Sequence, residues 1–191
     1  MLRSSIPEKA YYRNYMRIRE PFFCEETSDP VALENWILPC NNPWSAFFYV
    51  SALFDSGLPA EALQWIRMAW GGILKRGAVN CWEEWGTRSS LCHAWGSSPA
   101  YFMHREILGV KHEGAWQGVV SVRPDLLDLD WASGTVALDE SEGSAIRIEL
   151  SRTPGGTRVR IKAPDSVKVR LDLSRLPNPV LSPDSWHASV V

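Results

Sequence analysis

The residues best suited to chemistry in this 191-residue sequence lie in one segment, residues 80–96, which reads NCWEEWGTRSSLCHAWG. The segment holds a carboxylate pair, Glu83 and Glu84, together with one imidazole, His93, and three indoles. A carboxylate beside indoles is expected to be partly desolvated, which suits a general base that activates water. Hydrolysis of a glycosidic bond needs two such carboxyl groups, held on opposite sides of the bond. A solvated turn with indole anchors would have the same composition, so both interpretations stay open.

Tryptophan is enriched in the N-terminal part of the chain, since eight of the ten indoles lie in the first 116 residues. These eight are Trp36, Trp44, Trp65, Trp70, Trp82, Trp85, Trp95 and Trp116. Flat aromatic faces suit the apolar faces of sugar rings, but the same rings also fill hydrophobic cores. Because aromatic side chains are mostly buried, composition alone favours the core.

Cap residues and glycines predict the helices that would position this segment. The predicted helices run from Pro43, capped by Asn42, to Gly57, from Pro59 to Gly77, and from Ser98 to Gly109. A further partial helix is expected within residues 1–29, and the helical pattern as a whole extends from about Pro30 to Gly109. Helices of ordinary length with short connections are typical of stacked helical hairpins.

Beyond Gly118, apolar and polar residues alternate with period two, which indicates half-buried strands. The apolar positions are Val120 and Val122, Ile146 to Leu150, Val159 and Ile161, and Val167 to Leu173. Turns are predicted at residues 141–143, 154–156 and 164–165. About five strands in a small antiparallel sheet or sandwich follow from this pattern, so the fold class is α+β.

An ordered series of short motifs resembles glycoside hydrolase family 78, the α-L-rhamnosidases. The series is Ala62-Leu63, Ile66-Arg67, Trp70-Gly71, Gly77-Ala78, Trp82-Glu83, Ser90 to Trp95, Ile107 to Val110, then Val122, Pro124, Asp128-Leu129 and Ala132 to Gly134. The resemblance runs from about Pro30 to Pro164. It implies the last helical hairpins of an (α/α)6 barrel, followed by a small antiparallel β-sandwich. The implied domains are residues 1–116 and 117–175, with a tail at 176–191.

The resemblance also implies roles for individual residues. Glu83 matches the general base of an inverting hydrolysis of terminal α-L-rhamnosides. His93 matches the histidine that hydrogen-bonds the rhamnose, and Trp82, Trp85 and Trp95 would be walls or supports of the pocket. Rhamnose-containing glycosides are the implied substrates, and no cofactor is implied.

The family's general acid, a glutamate far upstream of the Trp-Glu motif, has no counterpart in this sequence. Glu25, Glu26 and Asp29 are too close to the last hairpins to replace it. Since an inverting site needs both carboxyl groups roughly 6.5–9.5 Å apart, we expect this chain alone to be inactive.

Three or four amphipathic helices cannot close a barrel, so several aromatic side chains would be partly exposed unless something covers them. These are Phe47, Phe48, Phe54, Trp65 and Trp70. The pattern favours either a truncated enzyme or a partner chain that supplies the rest of the barrel. Two alternatives remain: a non-catalytic carbohydrate-binding or scaffolding module, and another (α/α)6 inverting glycosidase.

Charge and cysteine usage restrict the remaining possibilities. The formal net charge is −2, which gives no electrostatic reason to expect nucleic acid or an anionic membrane as a partner. Cys24, Cys40, Cys81 and Cys92 form no CxxC pair and have no metal-ligand spacing, so free thiols are expected. No signal peptide is visible at the N-terminus, and a cytoplasmic location is expected.

Overall fold

The computed structural model describes residues 42–87, 89–112, 119–138 and 144–183. The chain divides into two compact units, residues 1–99 and 100–191. Several predictions lie outside the described residues: the partial helix in 1–29, the carboxylates at 25, 26 and 29, Cys24, Cys40, Trp36, Trp116 and the turn at 141–143. The domain boundary predicted after residue 116 also lies there, within 113–118.

The described part of the first unit contains two main helices, α1 at Pro43–Asp55 and α2 at Pro59–Lys75. Asn42 caps α1, because its Oδ1 accepts a hydrogen bond from the backbone N–H of Ser45 at 2.9 Å. The Ser45 side chain completes a capping box, and a proline begins each helix, where its missing N–H costs nothing. Both predicted helices are confirmed. A 3-10 turn at Ala94–Ser97 leads into a short helix, α3, at Ser98–Phe102.

Three indoles form a buried cluster in this unit. The ring of Trp85 packs edge-on against Trp65 and Trp70, with centroid distances of 5.8 and 5.2 Å. Trp65 and Trp70 are 4% and 7% exposed, so these two are covered rather than partly exposed. Part of this cover is a third indole, from the segment after α2. Phe48 of α1, in contrast, is 55% exposed, as expected.

The second unit continues from α3 through a π-helical turn at Met103–Ile107, and its described residues form seven strands. These are β1 Val110–His112, β2 Val119–Val122, β3 Trp131–Ala137, β4 Ala145–Thr153, β5 Gly156–Lys162, β6 Lys168–Leu171 and β7 Pro179–Leu181. Strand β7 falls within the predicted tail, where it pairs with β5.

The strands form two sheets, with the orders β1-β2-β6 and β3-β4-β5-β7. The pairs β1–β2, β3–β4 and β4–β5 are antiparallel, whereas β2–β6 and β5–β7 are parallel. The prediction of an antiparallel arrangement is therefore correct only in the main. Each parallel pair joins strands that are distant in sequence, and local alternation carries no information about such pairing.

Side chains from both sheets meet in one hydrophobic cluster. Val120 and Val169 of the first sheet belong to the same cluster as Ile146, Ile148 and Val159 of the second, and each of the five is at most 1% exposed. Two sheets that bury their inner faces against each other form a β-sandwich. The α+β class is thus confirmed.

Gly109, at the start of the second unit, lies in a position that only glycine fits. Its φ is +75°, and a Cβ atom there would lie 2.1 Å from the carbonyl carbon of Arg123. The two backbones approach so closely because the N–H of Arg123 donates to the carbonyl of Gly109 at 2.9 Å. The predicted end of the third helix at Gly109 therefore has a steric basis.

Candidate functional site

The described residues of the segment 80–96 form a loop whose two arms are joined by backbone hydrogen bonds. The N–H of His93 donates to the carbonyl of Cys81 at 2.7 Å. The N–H of Glu83 donates to the carbonyl of Ser90 at 2.9 Å. Two bonds of this kind place Glu83 and His93 near each other, on facing arms of one loop.

Ser90 orients the carboxylate of Glu83. Its backbone N–H donates to Oε2 of Glu83 at 3.1 Å, so Glu83 and Ser90 are joined by both backbone and side chain. Among the described residues, the other oxygen, Oε1, accepts no hydrogen bond, and the carboxylate takes part in no ion pair. The side chain is half-buried. A carboxylate that is oriented on one oxygen and open on the other can accept a proton from water.

Trp95 connects Glu83 to His93. Its Nε1 donates to the backbone carbonyl of Glu83 at 3.1 Å, and its ring lies against the imidazole of His93 with centroids 3.9 Å apart. Trp95 keeps 37% of its surface exposed, and His93 is half-buried. An exposed indole face beside an imidazole and a carboxylate is suited to a sugar ring, with one apolar wall and two polar groups.

The other two indoles of the loop are buried. Trp82 and Trp85 are each 4% exposed, and Trp85 packs into the cluster with Trp65 and Trp70. Arg76, next to the end of α2, donates from Nη1 to the carbonyl of Trp85 at 2.5 Å. The loop is therefore held against α2 by the buried ring of Trp85 and by the hydrogen bond from the exposed Arg76.

The C-terminal end of the loop, at Gly96, is also bonded to α2. The indole Nε1 of Trp70 donates to the carbonyl of Gly96 at 2.7 Å, and this bond is buried. A Cβ atom at Gly96 would lie 2.6 Å from the carbonyl oxygen of Trp82, so the two arms meet too closely for any larger residue. The arms are held in register at both ends.

Of the predicted site residues, the structure thus brings together Glu83, His93 and Trp95, and it buries Trp82 and Trp85. Glu84 is exposed. Sequence reasoning gave no separate role to Ser90 or to Gly96. The position of Ser90, three residues before His93, could have indicated a role for this residue. Its bond to Glu83 could not be predicted, because it depends on how the loop closes.

No group of three or more His, Cys, Asp or Glu that could hold a metal ion occurs within the described ranges. Cys81 and Cys92, on the two arms of the loop, are free thiols. In the same ranges, no helix is both long and apolar enough to cross a membrane.

Comparison with known proteins gives a consistent result. No protein-family model and no curated protein matches this chain. Among solved structures, the GH78 family rhamnosidase of Bacillus sp. GL1 is similar over 83% of this chain, with a TM-score of 0.67 and 27% identity. The α-L-rhamnosidase from Dictyoglumus thermophilum is similar in fold over the same share, with a TM-score of 0.59 and 18% identity.

The chain spans 18% and 20% of the lengths of these two proteins. The similarity covers most of this chain and a small part of each enzyme. The resemblance of the sequence to glycoside hydrolase family 78 is therefore confirmed by structure: over 83% of its length, this chain is similar to segments of α-L-rhamnosidases.

Proposed function

We propose that Glu83 is the water-activating base of an inverting glycoside hydrolase site of the α-L-rhamnosidase type. The observation that carries the proposal is the orientation of its carboxylate: Oε2 is held by the N–H of Ser90, and Oε1 has no partner among the described residues. His93 and Trp95 contribute the adjacent polar and aromatic contacts to the sugar. Rhamnose-containing glycosides are the substrate class, in keeping with the names of the two similar enzymes.

The proposed chemistry uses Glu83 for one proton transfer. Oε1 accepts a proton from a water molecule, whose oxygen attacks the anomeric carbon from the face opposite the leaving group. The glycosidic oxygen leaves with a proton from a second carboxyl group, roughly 6.5–9.5 Å from the first. In the family pattern that acid lies upstream and has no counterpart in this sequence, so we expect it to come from another part of a complete enzyme.

The surface of α1 supports a larger helical assembly. Trp44 and Phe48 are 52% and 55% exposed and pack edge to face at 5.0 Å, so they form one apolar patch. A patch of paired aromatic rings on a helix is the kind of surface that another helix covers. We propose that this unit forms the last hairpins of an (α/α)6 barrel, completed by further helices or by a partner chain.

The experiment that tests the proposal places this chain in a complete enzyme. Residues 42–183 would replace the matching segment of the Bacillus sp. GL1 rhamnosidase, and hydrolysis of an aryl α-L-rhamnoside would be measured. Glu83→Gln is expected to lower kcat by about 10²–10⁴-fold, because general-base catalysis contributes that factor. The matched control is Glu84→Gln, an exposed neighbour with the same change of charge, which should leave kcat within about twofold.

Two outcomes would contradict the proposal. The first is a correctly folded Glu83→Gln hybrid enzyme, judged by its unchanged melting temperature, with unchanged kcat. The second is hydrolysis of the aryl rhamnoside by the 191-residue chain alone that persists in Glu83→Gln, because a chain that hydrolyses this substrate without the Glu83 carboxylate does not use it as the base. If the hybrid enzyme does not fold, a binding experiment takes its place. The chain is titrated with L-rhamnose, and binding is followed through the indole N–H signal of Trp95.

A further inference from the structure

The outer face of the β3-β4-β5-β7 sheet carries a set of polar residues around one exposed indole. Strand register aligns them in two rows that cross β3, β4 and β5. The rows are Trp131, Ser151 and Arg158, and next to them Ser133, Glu149 and Arg160. Their inward-facing neighbours on β4 and β5, such as Leu150 and Val159, are buried in the sandwich core.

These residues line a cavity of about 320 Å³ together with Ala132 and Leu150. That volume lies at the lower end of the range of about 300–1,000 Å³ found for small-molecule sites. Adjacent strands are about 4.8 Å apart, so β3, which carries the indole, and β5, which carries the guanidinium, are about 10 Å apart. A space of this width fits one or two pyranose rings, with Ser151 between the two strands.

The charge of this face is opposite to that of the whole chain. Its outward positions on β4 and β5 carry four cations, Arg147, Arg158, Arg160 and Lys162, against one carboxylate, Glu149. These outward positions therefore carry a net charge of +3, whereas the complete chain has a formal charge of −2. A local excess of this kind favours an anionic ligand.

Internal ion pairs fix the central groups and leave Arg158 available. Glu149 accepts from Nε of Arg147 at 2.8 Å and from Nη1 of Arg160 at 3.1 Å. Arg158 is exposed and takes part in no ion pair with any described residue. Trp131, at the other side of the cavity, is 67% exposed. The aromatic platform and the available cation thus face each other across a polar floor.

We propose that this cavity binds a carbohydrate that carries a carboxylate, such as a uronic acid residue. The indole of Trp131 stacks on the apolar face of the sugar ring. The hydroxyl groups of Ser133 and Ser151 and the carboxylate of Glu149 exchange hydrogen bonds with the sugar hydroxyls. The guanidinium of Arg158 pairs with the uronate carboxylate. The site is built entirely from the second unit and does not depend on the role proposed for Glu83.

A sugar acid fits these observations better than a nucleic acid. Binding to single strands uses several aromatic platforms along a continuous positive groove, whereas this cavity offers one indole. The carboxylate of Glu149 lines the cavity, where it can accept hydrogen bonds from sugar hydroxyl groups, which the phosphate groups of a nucleic-acid backbone do not offer.

The test uses the complete 191-residue chain and trigalacturonic acid, titrated by calorimetry at low salt. The matched ligand is the methyl-esterified trisaccharide, which keeps the hydroxyl groups and ring faces but loses the charges. Esterification and Arg158→Gln are each expected to weaken binding by about tenfold, and the two effects should not add, because both remove the same ion pair. Trp131→Ala should weaken binding of both ligands by about tenfold or more, since stacking does not depend on charge.

Lys162→Gln is the control variant, because it removes one positive charge from the same face but lies outside the cavity. It should change the dissociation constant by less than about twofold. The proposal is overturned if the wild-type chain shows no binding of trigalacturonic acid at concentrations up to about 10 mM. It is also overturned if Arg158→Gln and Lys162→Gln weaken binding equally, or if a uridine oligonucleotide binds more tightly than the sugar acid.

Discussion

The two candidate surfaces of this protein position their polar groups by different means. In the loop 80–96, single hydrogen bonds position the groups. The indole N–H of Trp70 donates to the carbonyl of Gly96, and that of Trp95 donates to the carbonyl of Glu83. The backbone N–H of Ser90 donates to the carboxylate of Glu83. On the outer face of the second sheet, the backbone hydrogen bonds between strands fix the position of each row of side chains, and ion pairs between side chains are additional.

This difference has a consequence for how each surface responds to substitution. Backbone bonds join the two arms of the loop, but only a few side-chain bonds anchor it to α2, so removing one of them should disturb the loop. A sheet face tolerates changes in its outward side chains. The sheet unit is instead vulnerable where backbone contacts backbone. The following three substitutions test this contrast, in order of decreasing effect on stability.

The largest effect is expected from Gly109→Ala in the sheet unit. Alanine would have to adopt a φ of +75° with its Cβ 2.1 Å from the carbonyl carbon of Arg123. The left-handed conformation and the steric overlap together predict a loss of about 2–5 kcal/mol in the free energy of unfolding. Urea unfolding followed by circular dichroism measures it.

Gly155→Ala is the control for this substitution. Gly155 lies in the turn between β4 and β5, and a Cβ atom there would meet nothing within 4 Å. We expect a change within about 0.5 kcal/mol. If both alanine variants lose the same stability, backbone contact at Gly109 does not limit the sheet unit, and the contrast between the surfaces fails.

The sequence predicted the helical unit better than the sheet unit, for a physical reason. Asn42, Pro43 and Pro59 act through local capping and backbone geometry, so α1 and α2 begin where expected. In the sheets, β4, β5 and β6 show large apolar residues at alternate positions. Strand β3 does not, because the inward side of its central part carries only Ala132, Gly134 and Val136.

The candidate sites show the same limit. Glu83 and His93 lie ten residues apart in one segment, so their composition alone indicated a site. Which indoles would be buried could not be predicted, because Trp85 is covered by residues of α2 rather than by its own neighbours. Trp131 and Arg158 are brought together only by strand register, and no local pattern connects them.

A medium effect is expected from Trp70→Phe in the loop unit. The change keeps an aromatic ring in the cluster but removes the N–H that donates to the buried carbonyl of Gly96. A buried carbonyl without a partner costs about 1–3 kcal/mol. Trp95→Phe removes an exposed bond to the carbonyl of Glu83, which water can replace, so it should cost less than about 1 kcal/mol.

Amide hydrogen exchange shows whether the loop itself responds. In Trp70→Phe, the amides of Glu83 and His93, which join the two arms, should exchange faster than in the wild-type chain. The amides of Ile148 and Val159, in the centre of the second sheet, should keep their rates. Equal acceleration in both places would mean that the two units open together, and the contrast between the loop and the sheet face would fail.

The smallest effect is expected from Glu149→Gln on the sheet face. The hydrogen bond from Arg147, aided by the charges of Arg147 and Arg160, lowers the pKa of Glu149 below its ordinary value of 4.5. A lowered pKa means that the ionised form stabilises the folded state: this contribution is complete above pH 4.5 and is lost as the pH falls through the folded-state pKa. The difference in unfolding free energy between wild type and Glu149→Gln should therefore shrink on acidification.

Because these groups face solvent, about 1 M salt should reduce this difference as well. A difference that grows as the pH falls would show that Glu149 strains this face, and the role of Glu149 as a fixed acceptor in the cavity would then have to be abandoned.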